Sequence, residues 1–445
     1  MPFAPALGHE EPLKIVFVSK EYPPSARSYG IGTYVAETAA ALSRAGHRVT
    51  VLAASDDNVA AQDRMEGGVR VVRIPDAERN VPGPLTWKAL RKSGRLGVGY
   101  SIRALRKARE LGIVYRTAVA RILESLIDEA CADIVEFAGY RGESLVWAGL
   151  PRRIPMVARV HGRTAWVDRS RSSRIVPRQR LMNQWETREL LSADCLSSVA
   201  SHLVPTLIKR VDSACVKTIH NGIDALSWSR KQGAGEQLAS HDILFVGSHV
   251  KSKGVFVLME AADALRRSGG WDGSLILAGR SGDEFASYLR RHWKTLPGWI
   301  RVLGHCPREN LASMYASAGV CCLPSFYEGA NYTGLEALAS GAILVGSSAG
   351  TEELIGSAAG FAVPAGNRPA LVAALRTALS LDEHDRQSLR QRAIERVRQQ
   401  FDIGITAEQT AAWYRGVIDD FYSAPARGYE SRQAATSLTM KRGAG

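Results

Sequence analysis

Two glutamates eight positions apart, Glu328 and Glu336, lie in a glycine-bearing stretch that could bind a phosphorylated ligand. The loop 329–334 leads into the helical run that starts at Glu336, and the free N–H groups and dipole of a helix N-terminus suit a diphosphate. Glu336, expected in the first helical turn, could accept hydrogen bonds from ribose hydroxyls. Glu328, upstream on the loop, could accept them from a sugar. Taken alone, the pair also fits a solvated loop glutamate and a glutamate that favours a helix start.

The elements that must hold these residues follow a strand–helix–strand order. The first buried-strand run is Lys14–Ser19, which is followed by a helical pattern over 33–45 that Gly46 closes, and by a second strand over 49–54. This order is typical of a βαβ unit in a parallel sheet. Further strands are predicted at 134–137, 155–160 and 215–219.

The same pattern restarts after a polar, glycine-bearing segment over 226–241, which we interpret as a linker. A helix is predicted over 254–267, and strands are predicted at 242–246, 274–278, 319–323 and 342–346. Two successive arrays predict an α/β protein with two Rossmann-like lobes that face each other across a cleft, where ligands bind beyond the carboxyl ends of the strands. The predicted boundaries are 1–225 for the N-terminal lobe, 242–405 for the C-terminal lobe, 406–422 for a helix that returns to the first lobe, and 423–445 for a disordered tail.

Composition narrows the class of protein without choosing its ligand. The 445 residues carry 57 Lys and Arg against 44 Asp and Glu, a net charge of +13 that suits nucleic acid, an anionic membrane or phosphorylated ligands. Six cysteines form no CxxC motif, so no zinc or redox framework is expected, and free thiols suit a reducing cytosol. The N-terminal residues lack a signal-peptide pattern and no apolar run approaches the ~20 residues of a membrane span, so a cytoplasmic location is expected.

Much of the positive charge is concentrated in one segment. Residues 82–116 contain nine Lys and Arg and one acidic residue, Glu110, with interleaved leucines and isoleucine that indicate amphipathic basic helices. We predict that residues 87–116 dock the protein peripherally on the anionic inner face of a membrane, since each such charge near an anionic leaflet contributes about 1 kcal/mol. The alternative is a solvated helix face.

The glutamate pair and several further stretches, in the same order along the chain, resemble the retaining family-4 glycosyltransferases of the GT-B superfamily. Their hallmark is two glutamates separated by seven residues in the C-terminal lobe. The resemblance covers roughly residues 13–420, and its other matching stretches are 28–35, 44–51, 159–162, 218–224, 244–247 and 253–254.

The resemblance implies a nucleotide diphosphate sugar as donor, bound mainly by the C-terminal lobe, and an acceptor on the N-terminal lobe. It implies that the backbone at Gly30 approaches the donor phosphate and that His161 contacts the transferred sugar. Lys253 would neutralise the leaving diphosphate, the electrostatic role that a metal ion has elsewhere. His161, Glu328 and Lys253 are therefore the predicted catalytic residues, and the predicted donor-binding residues are Gly30, Gly247, Ser248, Lys253, Asn331, Tyr332, Thr333 and Glu336. No Asp-x-Asp sequence occurs, which agrees with a reaction that needs neither metal nor cofactor.

Three positions depart from the family pattern. Ser248 stands where the family usually has an arginine, so a bidentate phosphate donor is lost. Tyr29 occupies the first position of what is often a Gly-Gly pair, and Asn331 lies where the loop often carries glycine or proline.

The sequence thus predicts a retaining, metal-independent glycosyltransferase. The expected acceptor is a lipid-linked saccharide of polysaccharide biosynthesis, with a soluble acceptor as the alternative. A nucleotide-sugar epimerase or a phosphorylase would share the architecture, but neither has its motif here. The serine at 248 motivates a pseudoenzyme that only binds sugar nucleotides. Nucleic acid is not an expected partner, because the basic residues lack an aromatic stacking pattern or a reader motif. The side chains of 304–308, expected beside the donor base, do not identify that base.

Overall fold

The computed structural model describes the chain over residues 11–24, 30–55, 62–76, 112–162, 177–208, 212, 215–230, 236–293, 295–329, 331–357 and 359–423. The chain divides into two compact units. Unit 1 comprises Met1–Ala165, Ser173–Ile219 and Thr406–Gly445, and unit 2 comprises Trp166–Ser172 and His220–Ile405. The predicted tail over 423–445 lies, apart from Ser423, outside the described residues.

Unit 1 is built on an eight-stranded sheet in the order β3-β4-β2-β1-β5-β6-β7-β8. All neighbouring pairs are parallel except β3 and β4. Its strands are β1 Lys14–Ser19, β2 Arg48–Ser55, β3 Gln62–Glu66, β4 Val69–Pro75, β5 Ile134–Phe137, β6 Met156–Val160, β7 Cys195–Ser198 and β8 Val216–Thr218.

Unit 2 is built on a six-stranded, wholly parallel sheet in the order β11-β10-β9-β12-β13-β14. Its strands are β9 Ile243–Val246, β10 Leu275–Ala278, β11 Ile300–Gly304, β12 Val320–Leu323, β13 Leu344–Ser347 and β14 Gly360–Val363.

Helices connect the strands, as parallel pairing requires. The described helices are α1 Gly30–Arg44, α2 over 112–128, α3 Pro177–Ser192, α4 Val204–Leu207, α5 Ala225–Arg230, α6 Val255–Arg267, α7 Asp283–His292, α8 Arg308–Ser317, α9 Tyr332–Ala339, α10 Glu352–Ile355, α11 Arg368–Leu379, α12 Glu383–Gln400 and α13 Ile403–Ser423. The last of them, α13, belongs to unit 1 from Thr406 onward.

The predicted strands that form the sheet centres are confirmed to within two residues at each end. They are apolar runs because a parallel sheet covered on both faces buries every side chain, as in β12, where all four residues are buried. The apolar-run criterion misses β3, β4, β7, β11 and β14. Three of these, β3, β11 and β14, lie at the edge of their sheets. Exposed charged residues, Asp63 and Arg64 in β3 and Arg301 in β11, interrupt the apolar signal of the first two.

The predicted linker over 226–241 differs from the structure. Residues 226–230 belong to α5, whose Ala225 and Trp228 are buried, and the whole segment from His220 onward is part of unit 2. The polar composition is misleading here because one tryptophan is enough to anchor a short helix to a core. Residues 231–235 lie outside the described residues.

The basic segment predicted to bind a membrane lies, over 87–111, outside the described residues. Its last member, Arg116, is fully buried and donates to the carbonyl oxygens of Gly142 (2.6 Å), Gly112 (2.8 Å) and Arg141 (2.5 Å). Arg116 therefore supports the interior of unit 1 and does not face a membrane. Within the part of the chain that the structure describes, every helix is too short or too polar to cross a bilayer.

Candidate functional site

The strand order of unit 2 reverses between β9 and β12, and this reversal creates a crevice at the carboxyl ends of the two strands. From β9 the chain moves outward through β10 to β11, and from β12 it moves outward the other way through β13 to β14. In open α/β sheets ligands bind at this point. The loop 247–254 follows β9 and the loop 324–331 follows β12, so most of the predicted donor-binding residues meet at one edge of one sheet.

Lys253 and Glu328 form an ion pair across these two loops. The ammonium nitrogen of Lys253 lies 2.7 Å from Oε1 and 2.9 Å from Oε2 of Glu328. The hydroxyl of Ser325 donates to the same Oε1 at 2.6 Å. Glu328 is 8% exposed, whereas the Lys253 side chain is 37% exposed. The carboxylate is therefore held in one orientation by two donors, while the ammonium keeps a face open to a ligand.

The backbones of the two loops approach each other closely beside this pair. Gly254 has a φ of +73°, and a Cβ built on it would lie 1.9 Å from the carbonyl oxygen of Pro324. The N–H of Phe326 donates to the carbonyl of Ser252 at 2.9 Å. The position of Lys253 over Glu328 thus depends on a residue without a side chain at 254.

The helix that carries the second glutamate begins earlier than predicted. It starts at Tyr332, so Glu336 is its fifth residue and does not lie in the first turn. Asn331 caps the helix, because its side chain accepts from the N–H of Gly334 at 3.0 Å. This cap stabilises the start of the helix at Tyr332. It also occupies one of the backbone N–H groups that we predicted to be free for a diphosphate. Tyr332 and Thr333 lie in the first turn of this helix.

Glu336 has a charged partner that the sequence does not reveal. Nε of Arg308 donates to Oε1 of Glu336 at 2.6 Å, and the Arg308 guanidinium lies 5.1 Å from the ring centroid of Trp228. From the sequence, Arg308 is only one residue of the segment 304–308 that is expected beside the donor base. Its pairing follows from the tertiary placement of α8 against α9, for which the sequence contains no local signal.

Gly247 and Ser248 lie directly after β9. The N–H of Gly247 donates to the carbonyl of Ala278 at 2.9 Å, which ties the loop to the end of β10, and Ser248 is exposed. The next residue, His249, is buried, with Nδ1 2.8 Å from the hydroxyl of Ser281. Burial lowers the pKa of His249 to about 4, so the ring is neutral at neutral pH. His249 is not among the residues predicted from the sequence.

Two predicted site residues belong to unit 1. Gly30 is the first residue of α1, and a Cβ built on it would meet no atom within 4 Å. Among the described residues, no contact therefore requires glycine at position 30. His161 follows β6 and is 9% exposed, and its Nε2 has no hydrogen-bond partner among the described residues. Burial, and then the charge of Arg159, lower the pKa of His161 well below 6.5. Tyr29 lies outside the described residues.

Unit 1 also contains a buried pair of carboxyl groups that the sequence did not predict. Glu143 follows β5 and accepts from the N–H of Lys20 at 2.7 Å, and Glu189 of α3 accepts from the N–H of Ser144 at 2.7 Å. Burial and then the charge of Glu189 raise the pKa of Glu143 to about 8, and burial raises the pKa of Glu189 to about 7. At least one of the two therefore carries a proton at neutral pH.

The buried pair Glu143 and Glu189 predicts that the free energy of unfolding falls as the pH rises. Between the ordinary carboxyl pKa of 4.5 and the raised value of about 8, folded Glu143 binds more protons than the unfolded chain does. The stability that this group contributes is present below pH 4.5 and is lost as the pH rises through about 8. We expect Glu143→Gln to melt higher than the wild type at pH 8.5, and we expect this difference to shrink as the pH falls towards 6, by roughly 2–4 °C for each kcal/mol in a unit of this size.

Scanning fluorimetry over this pH range measures the effect. The control is Glu395→Gln, which changes a glutamate of α12 whose side chain is 45% exposed. A melting difference between Glu143→Gln and wild type that does not change with pH would contradict the raised pKa.

Among the described residues, one group of acidic and histidine side chains is close enough together to hold a metal ion. It consists of Asp382, His384 and Asp385 at the start of α12, all exposed. The predicted donor site is not part of it, and exposed acidic groups of this kind are common without a metal.

Two models of protein families match the chain. Residues 29–222 match the family described as glycosyl transferase 4-like domain, and residues 240–381 match the family described as glycosyl transferases group 1. The second match includes the ion pair Lys253–Glu328 and the helix that carries Glu336.

Characterised relatives resemble parts of the chain. The O-antigen chain mannosyltransferase B of Escherichia coli is 34% identical over 125 residues, which is 27% of this chain and 32% of that protein. The D-inositol 3-phosphate glycosyltransferase of Kineococcus radiotolerans is 29% identical over 240 residues, 47% of this chain and 53% of that protein. The matches thus span between about a third and about half of the relatives' own length.

The fold has counterparts among solved structures. The sucrose-phosphate synthase of Thermosynechococcus elongatus aligns with 91% of this chain and 99% of its own, with a TM-score of 0.66 and 20% identity. At this identity the likeness concerns the fold alone, and it confirms the predicted α/β fold of the GT-B class with two parallel-sheet domains.

Proposed function

This chain belongs to the group 1 glycosyltransferases, and from that premise we propose that it transfers a sugar, with retention of configuration, from a nucleotide diphosphate sugar to a saccharide acceptor. The observation that carries the proposal is the Lys253–Glu328 ion pair at the β9/β12 edge of unit 2, with Glu336 on the helix that directly follows the loop of Glu328. A cation and two oriented carboxylates at the switch point of a parallel sheet suit a ligand that combines a diphosphate with hydroxyl groups.

Each partner has a distinct task in this proposal. Lys253 stabilises the negative charge that develops on the leaving diphosphate, because its ammonium has three donors and its side chain is partly exposed. Glu328 orients Lys253 and accepts from the hydroxyls of the donor sugar. Glu336, held by Arg308, accepts from the ribose through an oxygen whose direction is already set.

The reaction that we propose needs no covalent intermediate on the protein. The acceptor oxygen bonds to the anomeric carbon on the face from which the diphosphate leaves, and the acceptor proton passes to a phosphate oxygen. The products are the glycosylated acceptor and a nucleoside diphosphate, so atoms and charge balance. We propose that the neutral ring of His161 contacts the transferred sugar and that Gly30 lets the backbone approach the phosphate. No described residue occupies the space that a side chain at position 30 would take, so that space is open to a ligand.

For the acceptor we propose a saccharide of polysaccharide biosynthesis, either free or lipid-linked. The resemblance to a protein named as an O-antigen chain mannosyltransferase supports this class of acceptor. Radiolabelled donor incubated with membrane extract or with free oligosaccharides separates the lipid-linked acceptor from the free one.

The donor site is tested by binding. Thermal-shift screening against UDP-, GDP- and ADP-sugars should identify one base whose sugar nucleotides raise the melting temperature. For that donor we expect Glu336→Gln to weaken binding by about 1–3 kcal/mol, roughly 5- to 150-fold in Kd, because the ribose loses a charged acceptor and Arg308 loses its partner. Isothermal titration calorimetry gives the affinities.

Glu395→Gln serves again as the control and should bind the donor like the wild type. An unchanged Kd in Glu336→Gln would contradict the ribose assignment. Binding without transfer to any acceptor would indicate a pseudoenzyme, for which the exposed Ser248 is the motivating observation, and conversion of the donor to its 2-epimer would indicate an epimerase.

A further inference from the structure

Three buried polar side chains, from three elements of unit 1, meet at the carboxylate of Glu136 on a fourth element. Glu136 of β5 accepts from the hydroxyl of Tyr34 (2.7 Å) through Oε1 and from the hydroxyl of Tyr414 (2.8 Å) through Oε2. Nε of Arg159, on β6, lies 3.5 Å from the same carboxylate. All four side chains are essentially inaccessible to solvent.

The helix α13 supplies a substantial part of this network although it is the last element of the chain. Besides Tyr414 it contributes Thr410, whose hydroxyl accepts from Nη2 of Arg159 at 3.2 Å. Burial, and then the charge of Glu136, raise the pKa of Tyr414 well above 10, so its hydroxyl remains protonated and donates. A buried carboxylate needs all such donors, because each missing one leaves charge without compensation in a medium of low polarity.

The network ends at His161. His161 is the first residue after β6 and lies two positions beyond Arg159. The ring centroids of His161 and Tyr34 lie 4.6 Å apart with the planes tilted by 56°, and the Arg159 guanidinium lies 4.7 Å from the centroid of the same tyrosine ring. The tyrosine ring is thus fixed at its hydroxyl by Glu136 and packs with its body against the imidazole.

We propose that Tyr34 and Tyr414 are positioning residues for His161, and that α13 acts on this histidine through Glu136. The inference rests on the proposed function, in which His161 contacts the transferred sugar. Tyr414 holds one oxygen of the carboxylate, the other oxygen holds the hydroxyl of Tyr34, and the Tyr34 ring sets the tilt of the imidazole. The free Nε2 of His161 is then aimed by an element that lies about 250 residues further along the chain.

Two conservative substitutions test the network, with a third as matched control. Tyr34→Phe and Tyr414→Phe each delete one hydroxyl that bonds to Glu136. Tyr422→Phe deletes a hydroxyl of the same helix that bonds to the carbonyl of Arg153 at 3.0 Å, outside the network. The readout is the Cε1–H signal of the His161 ring in the full-length protein, assigned by its disappearance in His161→Gln.

We expect this signal to move in Tyr34→Phe and Tyr414→Phe and to stay in place in Tyr422→Phe. Turnover with the identified donor should fall about tenfold in the first two variants at an unchanged donor KM, because a displaced contact affects the reacting geometry more than the binding. The double variant should lose less than the product of the two single losses, since both hydroxyls hold the same carboxylate.

An unmoved His161 signal in both network variants would overturn the proposal, and so would an equal shift in Tyr422→Phe, which would indicate a general loosening of the helix. Should Tyr414→Phe fail to fold, Thr410→Val removes the other contact of α13 with the network and is judged by the same signal. A wild type that binds no nucleotide sugar would refute the proposed function, whereas the ring signal would still decide whether α13 positions the histidine.

Discussion

Glu328→Gln is expected to lower the turnover of sugar transfer roughly 100- to 1,000-fold, the loss typical of removing one electrostatic contact to a transition state. The substitution keeps the size of the side chain but removes the charge that holds the Lys253 ammonium at 2.7 Å and 2.9 Å. Lys253 would then sample other directions, and the donor sugar would lose an anionic acceptor. Donor affinity should change much less than turnover, because the exposed ammonium can still reach the diphosphate.

Steady-state kinetics with the donor found by thermal shift measures this loss. Ser325→Ala removes the second donor to the same carboxylate oxygen and leaves the ion pair, so it should cost far less. Glu352→Gln changes an exposed glutamate of α10 and should have no effect. Turnover in Glu328→Gln within a factor of a few of the wild type would show that the pair is only a structural contact.

The second large effect concerns a backbone contact beside the same pair. We expect Gly254→Ala to destabilise unit 2 by roughly 3–5 kcal/mol and to abolish measurable donor binding. The alanine Cβ would lie 1.9 Å from the carbonyl oxygen of Pro324, and a backbone atom cannot rotate away as a side chain can. The two loops must therefore separate, and Lys253, the preceding residue, moves away from Glu328.

Gly269→Ala is the control variant. It separates the steric effect of the Pro324 carbonyl from the cost of placing alanine in a left-handed backbone conformation. Gly269 has a φ of +68°, close to the +73° of Gly254, but a Cβ there would meet no atom within 4 Å. It should cost only the roughly 1–2 kcal/mol of a left-handed alanine and leave donor binding intact. Melting temperatures and donor affinities of both variants decide the matter. Equal losses in the two would contradict the role of the contact with Pro324.

Local patterns in the sequence determined most of the architecture. Apolar runs such as β1 and β12 identify buried parallel strands, because a strand covered on both faces must be apolar throughout. The alternation with helical patterns then requires right-handed crossovers, and two such arrays imply two sheets. The strands β3 and β11 were not predicted because exposed charged residues, Asp63 and Arg64 in β3 and Arg301 in β11, interrupt their apolar runs.

The candidate donor site could also be predicted from the sequence, because Glu328 and Glu336 are close along the chain and lie in one glycine-bearing stretch. Asn331 sets the start of the helix that carries Glu336. Its side chain accepts from the N–H of Gly334, so the helix begins at Tyr332. The sequence alone does not show which backbone N–H group the Asn331 side chain caps.

Only the tertiary structure decided which charges are paired. Lys253 and Glu328 are 75 residues apart, Arg308 and Glu336 are 28 apart, and Tyr414 and Glu136 are 278 apart. Arg116, the last member of a segment that the sequence assigns to a membrane surface, turned out to be buried on three carbonyl groups. The physical reason is that periodicity reports only which face of an element is buried, whereas the partner of a charge depends on strand order and on which loops that order brings together.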